Sequence, residues 1–145
     1  TVFGYSYRMR TDLLVNNFVE TAVKKGKLEI FEPNFRRNFI HINDIVDAFL
    51  FSIKNFAKLK NNIFNLGLSS ANISKINLAR KIKKVIPKTK VIINKKGNDP
   101  DKRDYFVSNK KIEKAGFKAK VSLDEGIREL NGIFQNCDIK FINNY

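Results

Sequence analysis

At 145 residues and 16.8 kDa, with 43% hydrophobic and 29% charged residues, the chain has the size and composition of one folded domain, which excludes a disordered or collagen-like polymer. Lysine and arginine number 28 against 14 acidic residues, giving a net charge of +14 and a pI near 10.0, so a polyanionic partner has to be weighed. A single cysteine, Cys137, and a single histidine, His41, exclude an internal disulfide, a thiolate zinc cage and a histidine-rich metal site.

Thr1-Val2-Phe3-Gly4 reads as the end of a strand entering a loop, so the chain looks like the latter part of something longer. Leu13, Leu14, Phe18, Val19, Ala22 and Val23 recur at helical spacing and predict a helix over residues 12–25. Gly26 after Lys24-Lys25 stops it, because glycine accepts a left-handed cap and lysines favour the negative helix end. Leu28–Phe31 is a short strand broken by Pro33-Asn34, and Phe39–Ile42 is a second. Asn43 is expected to cap a helix over 44–55 whose core stripe is Ile45, Phe49 and Ile53, with Val46 and Leu50 beside it.

Asn62–Leu66 predicts a third strand ending at Gly67, followed by the polar loop Leu68–Asn72. Ser74 caps a helix to Ile86 with the stripe Leu78, Ala79, Ile82, Val85 and Ile86, and Pro87 ends it. Val91–Ile93 is another strand, and Lys95–Arg103 a polar loop. Ser108 and Ser122 open two last helices; Ser122-Leu-Asp-Glu125 matches the capping box, in which the two side chains satisfy each other's free amides. The alternation of strands and helices argues for an α/β fold: a single domain over 1–134 with a weakly ordered tail over 135–145. The apolar run Val46–Ile53 contains Asp47 and is too short to span a bilayer, and Thr1 opens no leader-like segment, so a cytoplasmic setting without membrane contact is expected.

Few residues suggest chemistry. All seven glycines are isolated, so no phosphate-cradling glycine loop is present. His41, between Phe39 and Ile42, reads as a half-buried packing residue. Arginines do gather in loops: Arg8 and Arg10 before the first helix, Arg36 and Arg37 before the strand Phe39–Ile42, and Arg103 in the late polar loop. A guanidinium fork pairs two phosphate oxygens at once, so arginines converging from several loops suit a diphosphate; the alternative is that each pairs with a carboxylate such as Asp12, Glu32 or Asp104.

The segment Arg36-Arg37-Asn38-Phe39-Ile40-His41-Ile42-Asn43-Asp44-Ile45-Val46-Asp47-Ala48 resembles the Arg-strand-Val-x-Asp-x-x-x-Ala segment of extended short-chain dehydrogenases/reductases. Thr1–Gly4 with Arg8–Phe18 is similar to the strand, loop and helix that follow that family's catalytic helix. Asn62–Gly67, Asp101–Tyr105 with Ser108–Phe117, and Ser122–Leu130 resemble its later strand, arginine loop and closing helices. The order and spacing match the NAD-dependent nucleotide-sugar epimerases/dehydratases, but over the C-terminal half alone. The resemblance therefore implies the C-terminal, substrate-binding portion of an NAD(P)-binding Rossmann-like enzyme.

It also implies a division of labour. NAD or NADP serves the complete enzyme, in which a tyrosinate takes a hydroxyl proton as hydride leaves the sugar. The family's glycine-rich cofactor turn and Tyr-x-x-x-Lys pair do not occur here: Tyr5, Tyr7 and Tyr105 are followed four residues on by Met9, Thr11 and Asn109. No cofactor binding and no catalysis are expected of this chain alone, and its implied partners are a nucleoside-diphosphate sugar and the missing N-terminal half. By motif alignment Arg37 and Arg103 fall where the family clamps the diphosphate, with Asn17 facing the phosphates. Arg10 and Thr11 fall in the loop approaching the sugar, and Phe31 near the base; Asp44 is expected to order its helix start. The family's Gly-Pro is Gly4-Tyr5 here, and its loop glycine is Pro33.

Two other readings stand beside this one. A basic nucleic-acid-binding module would use Arg80, Lys81, Lys83, Lys84, Lys88 and Lys90, although only seven of the 28 basic residues are arginine and abundant Lys, Asn and Ile give the excess a compositional origin. A self-associating orphan fragment, a homo-oligomer, would expose apolar surface to which Leu13, Phe18 and Phe49 contribute.

Overall fold

A computed structural model describes residues 1–94 and 103–136. Val15, Phe18, Val19 and Ala22 form the buried face of α1 (Leu14–Lys25), which ends as expected: Gly26 turns left-handed at φ +63° and its N–H returns to Ala22 O at 3.1 Å. Among the described residues six short strands follow the chain as β1 (Val2–Phe3), β2 (Lys27–Ile30), β3 (Arg36–Asn38), β4 (Ile40–His41), β5 (Asn72–Ser74) and β6 (Lys90–Ile93). They pair in three two-stranded sheets: β1 with β4 and β2 with β6 in parallel, β3 with β5 antiparallel.

The remaining helices are α2 (Ile42–Lys54), the single turn α3 (Phe56–Leu59), α4 (Lys75–Val85), α5 (Lys110–Ala115) and α6 (Leu123–Asn136). The main core lies where α6 packs against α1 and α4, with Ile127 and Leu130 of α6 meeting Val15, Val19, Leu78 and Ile82 out of solvent. Each such side chain contributes roughly 1.5–3 kcal/mol by leaving water. A smaller cluster joins Ala48 of α2 to Ile112 and Phe117, with Phe51, Phe64 and Leu66 packed on it. Among the described residues no helix is long and apolar enough to cross a membrane.

Two predicted caps hold. Ser74 Oγ accepts Asn77 N–H at 3.4 Å, and Ser122 and Glu125 exchange bonds, Ser122 N–H to Glu125 Oε2 at 2.8 Å and Glu125 N–H to Ser122 Oγ at 3.2 Å. That contact with Ser122 holds the Glu125 carboxyl below its ordinary value.

Other expectations are corrected. The helix expected over 44–55 is capped by His41, whose Nδ1 accepts Asn43 N–H, so Asn43 lies inside it. Most of its expected core stripe faces outward: Phe49 is 67% and Ile53 72% exposed, with Val46 and Leu50 about half exposed and only Ile45 half-buried. Asp44 and Ala48 are the buried side, because a helix apolar on most of its circumference leaves periodicity unable to choose the face. Asn62–Leu66 forms no strand, since no described strand lies alongside it, and Ile63 is exposed. Instead β3 and β5 pair across segments read as loop. Asn109, not Ser108, precedes α5. Of the residues expected on an apolar surface, Phe49 is exposed, Leu13 is half-buried and Phe18 sits in the core. Most of the loop Lys95–Arg103, and the tail from Cys137, lie outside the described residues, while α6 carries buried Phe134 and runs on to Asn136.

Candidate functional site

The chain makes its sharpest connection after β1. Gly4 has φ +110°, and a Cβ there would fall 2.3 Å from His41 Nε2, so only glycine fits between the strand and the imidazole. Buried Asn16 of α1 holds the loop at two points: its Oδ1 accepts Gly4 N–H at 3.1 Å and its Nδ2 donates to Arg10 O at 2.9 Å. His41 is fully buried rather than half-buried, edge-on to Phe3 with ring centroids 5.3 Å apart. With Nδ1 accepting from Asn43, the ring proton sits on Nε2 and is donated to Glu129 Oε2 at 2.8 Å, an oxygen that also accepts Tyr5 N–H at 3.3 Å. Asp44, also buried, accepts Lys120 N–H and Val121 N–H at 2.8 and 3.1 Å, tying α2 to the segment that enters α6.

Two hollows meet at Leu13. One of about 370 Å³ opens at the carboxyl end of β1, between Gly4, Ser6, Arg8 and Arg10 of the loop and Asn16 and Ile42. Ligands of parallel sheets gather outside the carboxyl ends of the strands. The other, about 220 Å³, brings Asp12 and, from α1, Leu14 and Asn17 together with Arg37 of β3, Lys75 of α4, Arg103 and Thr1. Arg37, Arg103 and Asn17 thus share one hollow. Arg10 lies in the neighbouring one, bound in a fork by Asp12, which holds the Asp12 carboxyl below its usual value of 3.8. Thr11 is buried and Phe31 half-buried, and neither belongs to the walls of these two hollows.

The charge of the smaller hollow is positive. Arg37 is 3% exposed; its Nη1 donates to Arg36 O at 2.8 Å and its guanidinium lies 5.2 Å from the centre of the Tyr105 ring. Thr1 N–H donates to Asn38 O at 2.7 Å. Lys75 adds a third cation, its Nζ 3.9 Å from the Glu32 carboxylate, and among the described residues of the wall the carboxylate is Asp12, paired with Arg10. Arg36 follows the other arrangement foreseen for these arginines: its side chain turns out to a forked pair with Asp104 at 3.1 and 3.2 Å. A further hollow of about 360 Å³ at the end of β4 presents Glu125 and Glu129, whose charge disfavours a phosphate.

Lys75, Asn16 and Tyr105 carry no sequence signal that would have marked them. A lysine opening a helix reads as solvated, and only the fold buries this one. Around α4 the basic residues Arg80, Lys83, Lys84, Lys88 and Lys90 are exposed, but Lys75–Asn94 contains no aromatic residue on which bases could stack.

The fold also bears on a dinucleotide cofactor. The loop from β1 to α1 has one glycine, Gly4, and β4 and β5 run directly into α2 and α4, so none of these three strand–helix junctions offers a glycine-rich turn at a helix start. The described residues do not fit NAD by themselves.

No family model matches the chain. A curated relative, GDP-L-colitose synthase of Yersinia pseudotuberculosis, is 26% identical over 121 residues, covering 81% of this chain and 39% of its own. The chain thus spans well under half the length of that relative. Among solved structures it superposes on the NAD-dependent NDP-hexosamine 5,6-dehydratase TunA with a TM-score of 0.71 and 22% identity, covering 95% of this chain and 44% of that one. UDP-glucose 4-epimerase of Thermotoga maritima, solved with UDP-glucose, gives 0.72 and 22%, covering 93% and 43%. The 4-epimerase of Campylobacter jejuni that acts on UDP-Glc/GlcNAc gives 0.68 and 23%, covering 89% and 42%. The resemblance drawn from the sequence motifs is borne out, and the fold is a portion of the Rossmann-like extended short-chain dehydrogenase/reductase fold.

Proposed function

We propose that the chain is the nucleotide-sugar-binding part of an NAD-dependent epimerase/dehydratase-type enzyme. The observation that carries this reading is the meeting of Arg37 and Arg103, far apart in sequence, in one positive hollow beside the start of α1. Their guanidiniums would bind the non-bridging oxygens of a diphosphate from two sides, with the Asn17 amide as a neutral donor at the same wall. A hollow of about 220 Å³ is smaller than a whole ligand site and suits the diphosphate alone. Across Leu13, the larger hollow at the end of β1 would take the sugar, where Ser6, Arg8 and Arg10 set the chemistry of the approach.

This chain supplies binding and orientation and performs no hydride transfer of its own, because its residues provide neither the cofactor turn nor the tyrosine base. NAD or NADP would belong to the complete enzyme, and its partner part would cover the outward stripe of α2, Val46, Phe49, Leu50 and Ile53, and continue the sheet beyond β1. A parallel pair of strands two residues long is otherwise too small to stand as a sheet. Whether the sugar is epimerised, dehydrated or reduced is decided by that other part.

Calorimetric titration with GDP, UDP and their sugar conjugates tests the reading. Saturable one-to-one binding at physiological salt, weaker for the monophosphates, is expected. Equal affinity for every polyanion, vanishing as salt rises, would favour the basic module instead.

A further inference from the structure

Lys75 is the first residue of α4 and is 2% exposed, although its side chain ends in an ammonium. Its Nζ donates to Phe31 O at 2.9 Å, lies 3.9 Å from the Glu32 carboxylate and sits 5.6 Å from the centre of the Phe35 ring. The backbone repeats the connection: Lys75 N–H donates to Phe35 O at 3.1 Å and Ile76 N–H to Pro33 O at 2.9 Å. The first turn of α4 therefore grips the turn Phe31–Phe35 through one side-chain and two main-chain bonds.

That turn needs holding. Glu32 is left-handed at φ +44°, a conformation a residue with a Cβ seldom adopts, and its carbonyl closes the turn by accepting Phe35 N–H at 3.1 Å. The same Lys75 lines the hollow of Arg37 and Arg103. One side chain thus joins the wall of the anion hollow to the turn that follows β2.

We propose that Lys75 is a positioning residue that fixes the Phe31–Phe35 turn, and through it the flank of the anion hollow that the part of a ligand beyond its phosphates would meet. This rests on the diphosphate reading of the hollow for its ligand, but not for its structural half. Lys75 acts on the part of the ligand beyond the phosphates; a direct phosphate contact would act on the phosphates themselves, and the two roles separate by choice of probe.

Amide exchange of the free chain and titration with inorganic pyrophosphate and with GDP are to be measured on the parent, Lys75→Met and Lys75→Arg. In Lys75→Met the Phe35 amide should exchange about tenfold faster, while Ile40 and Leu68, bonded to Thr1 O and Phe39 O, keep their protection and report an intact fold. GDP should weaken about tenfold and pyrophosphate by less than about threefold, with Lys75→Arg restoring both readouts. Unchanged exchange at Phe35, or equal losses for the two ligands, overturns the proposal. If the parent binds neither ligand, the diphosphate reading falls, and the exchange arm alone decides whether Lys75 holds the turn.

Discussion

Arg36 and Arg37 are neighbours in β3, and their side chains go opposite ways: Arg36 out to Asp104, Arg37 in to the hollow it shares with Arg103. Strand geometry makes this so, because successive side chains leave a strand on opposite faces. The outward pair also positions the inward one's partner. Asp104 accepts both the Arg36 guanidinium and Arg36 N–H, at 2.7 Å, and Arg103 is the residue just before it.

Removing a charge from the hollow should weaken diphosphate binding selectively. Arg37→Ala and Arg103→Ala are each expected to cost about 1.5–3 kcal/mol, roughly ten- to a hundredfold in affinity, as for a hydrogen bond to a charged group. Arg80→Ala, on the exposed face of α4, should change it little. Titration of the three variants with GDP checks this, and equal losses in all three would point to diffuse charge.

Asp104 should make the site sensitive to acid. The contact with Arg36 holds its folded pKa below the ordinary 3.8, so the carboxylate's contribution is complete above about pH 4 and is lost as pH falls through the lower, folded value. Asp104→Asn should remove that dependence and weaken binding at pH 7, because Arg103 loses its neighbouring anchor. Binding measured from pH 7 to pH 3, with far-ultraviolet dichroism to follow the fold, distinguishes loss of the anchor from unfolding.

The exposed stripe of α2 should drive association of the isolated chain. Sedimentation is expected to show weight rising with concentration, and Phe49→Asp combined with Ile53→Lys should return it to the monomer. Both positions are largely exposed, so stability should shift by less than about 0.5 kcal/mol for each change. A monomer at all concentrations in the parent would mean that the stripe is simply solvated.

Gly126 sets the distance between α6 and the end of β1. A Cβ there would meet Phe3 Cε2 at 2.3 Å and His41 Cδ2 at 3.1 Å. Gly126→Ala should therefore destabilise by about 1–3 kcal/mol, the usual penalty for overfilling a packed core, despite alanine's better helix propensity. Urea unfolding would show it, and Gly132→Ala, with open space around its position, should be neutral or stabilising.

How far the sequence carries can be judged residue by residue. The α1 stop at Gly26 and the Ser122–Glu125 box were legible because their chemistry is local: a left-handed glycine, and two side chains three residues apart. The outward face of α2 was not, because Val46, Phe49 and Leu50 are as apolar as any core residue, and what they would pack on is not among the described residues. The short ladder of β3 with β5 was hidden for a related reason, since three-residue strands rich in Arg and Asn have no alternating pattern. At the site, arginines in loops were visible as a class. Lys75 and Asn16 were not, because their burial depends on contacts between segments remote in sequence.

The location of a bound diphosphate tests the account most directly. A crystal of this chain soaked with GDP should show the two phosphates between Arg37 and Arg103, within hydrogen-bond distance of both guanidiniums. Phosphates resting on the lysines of α4, with the hollow of Arg37 unoccupied, would contradict it.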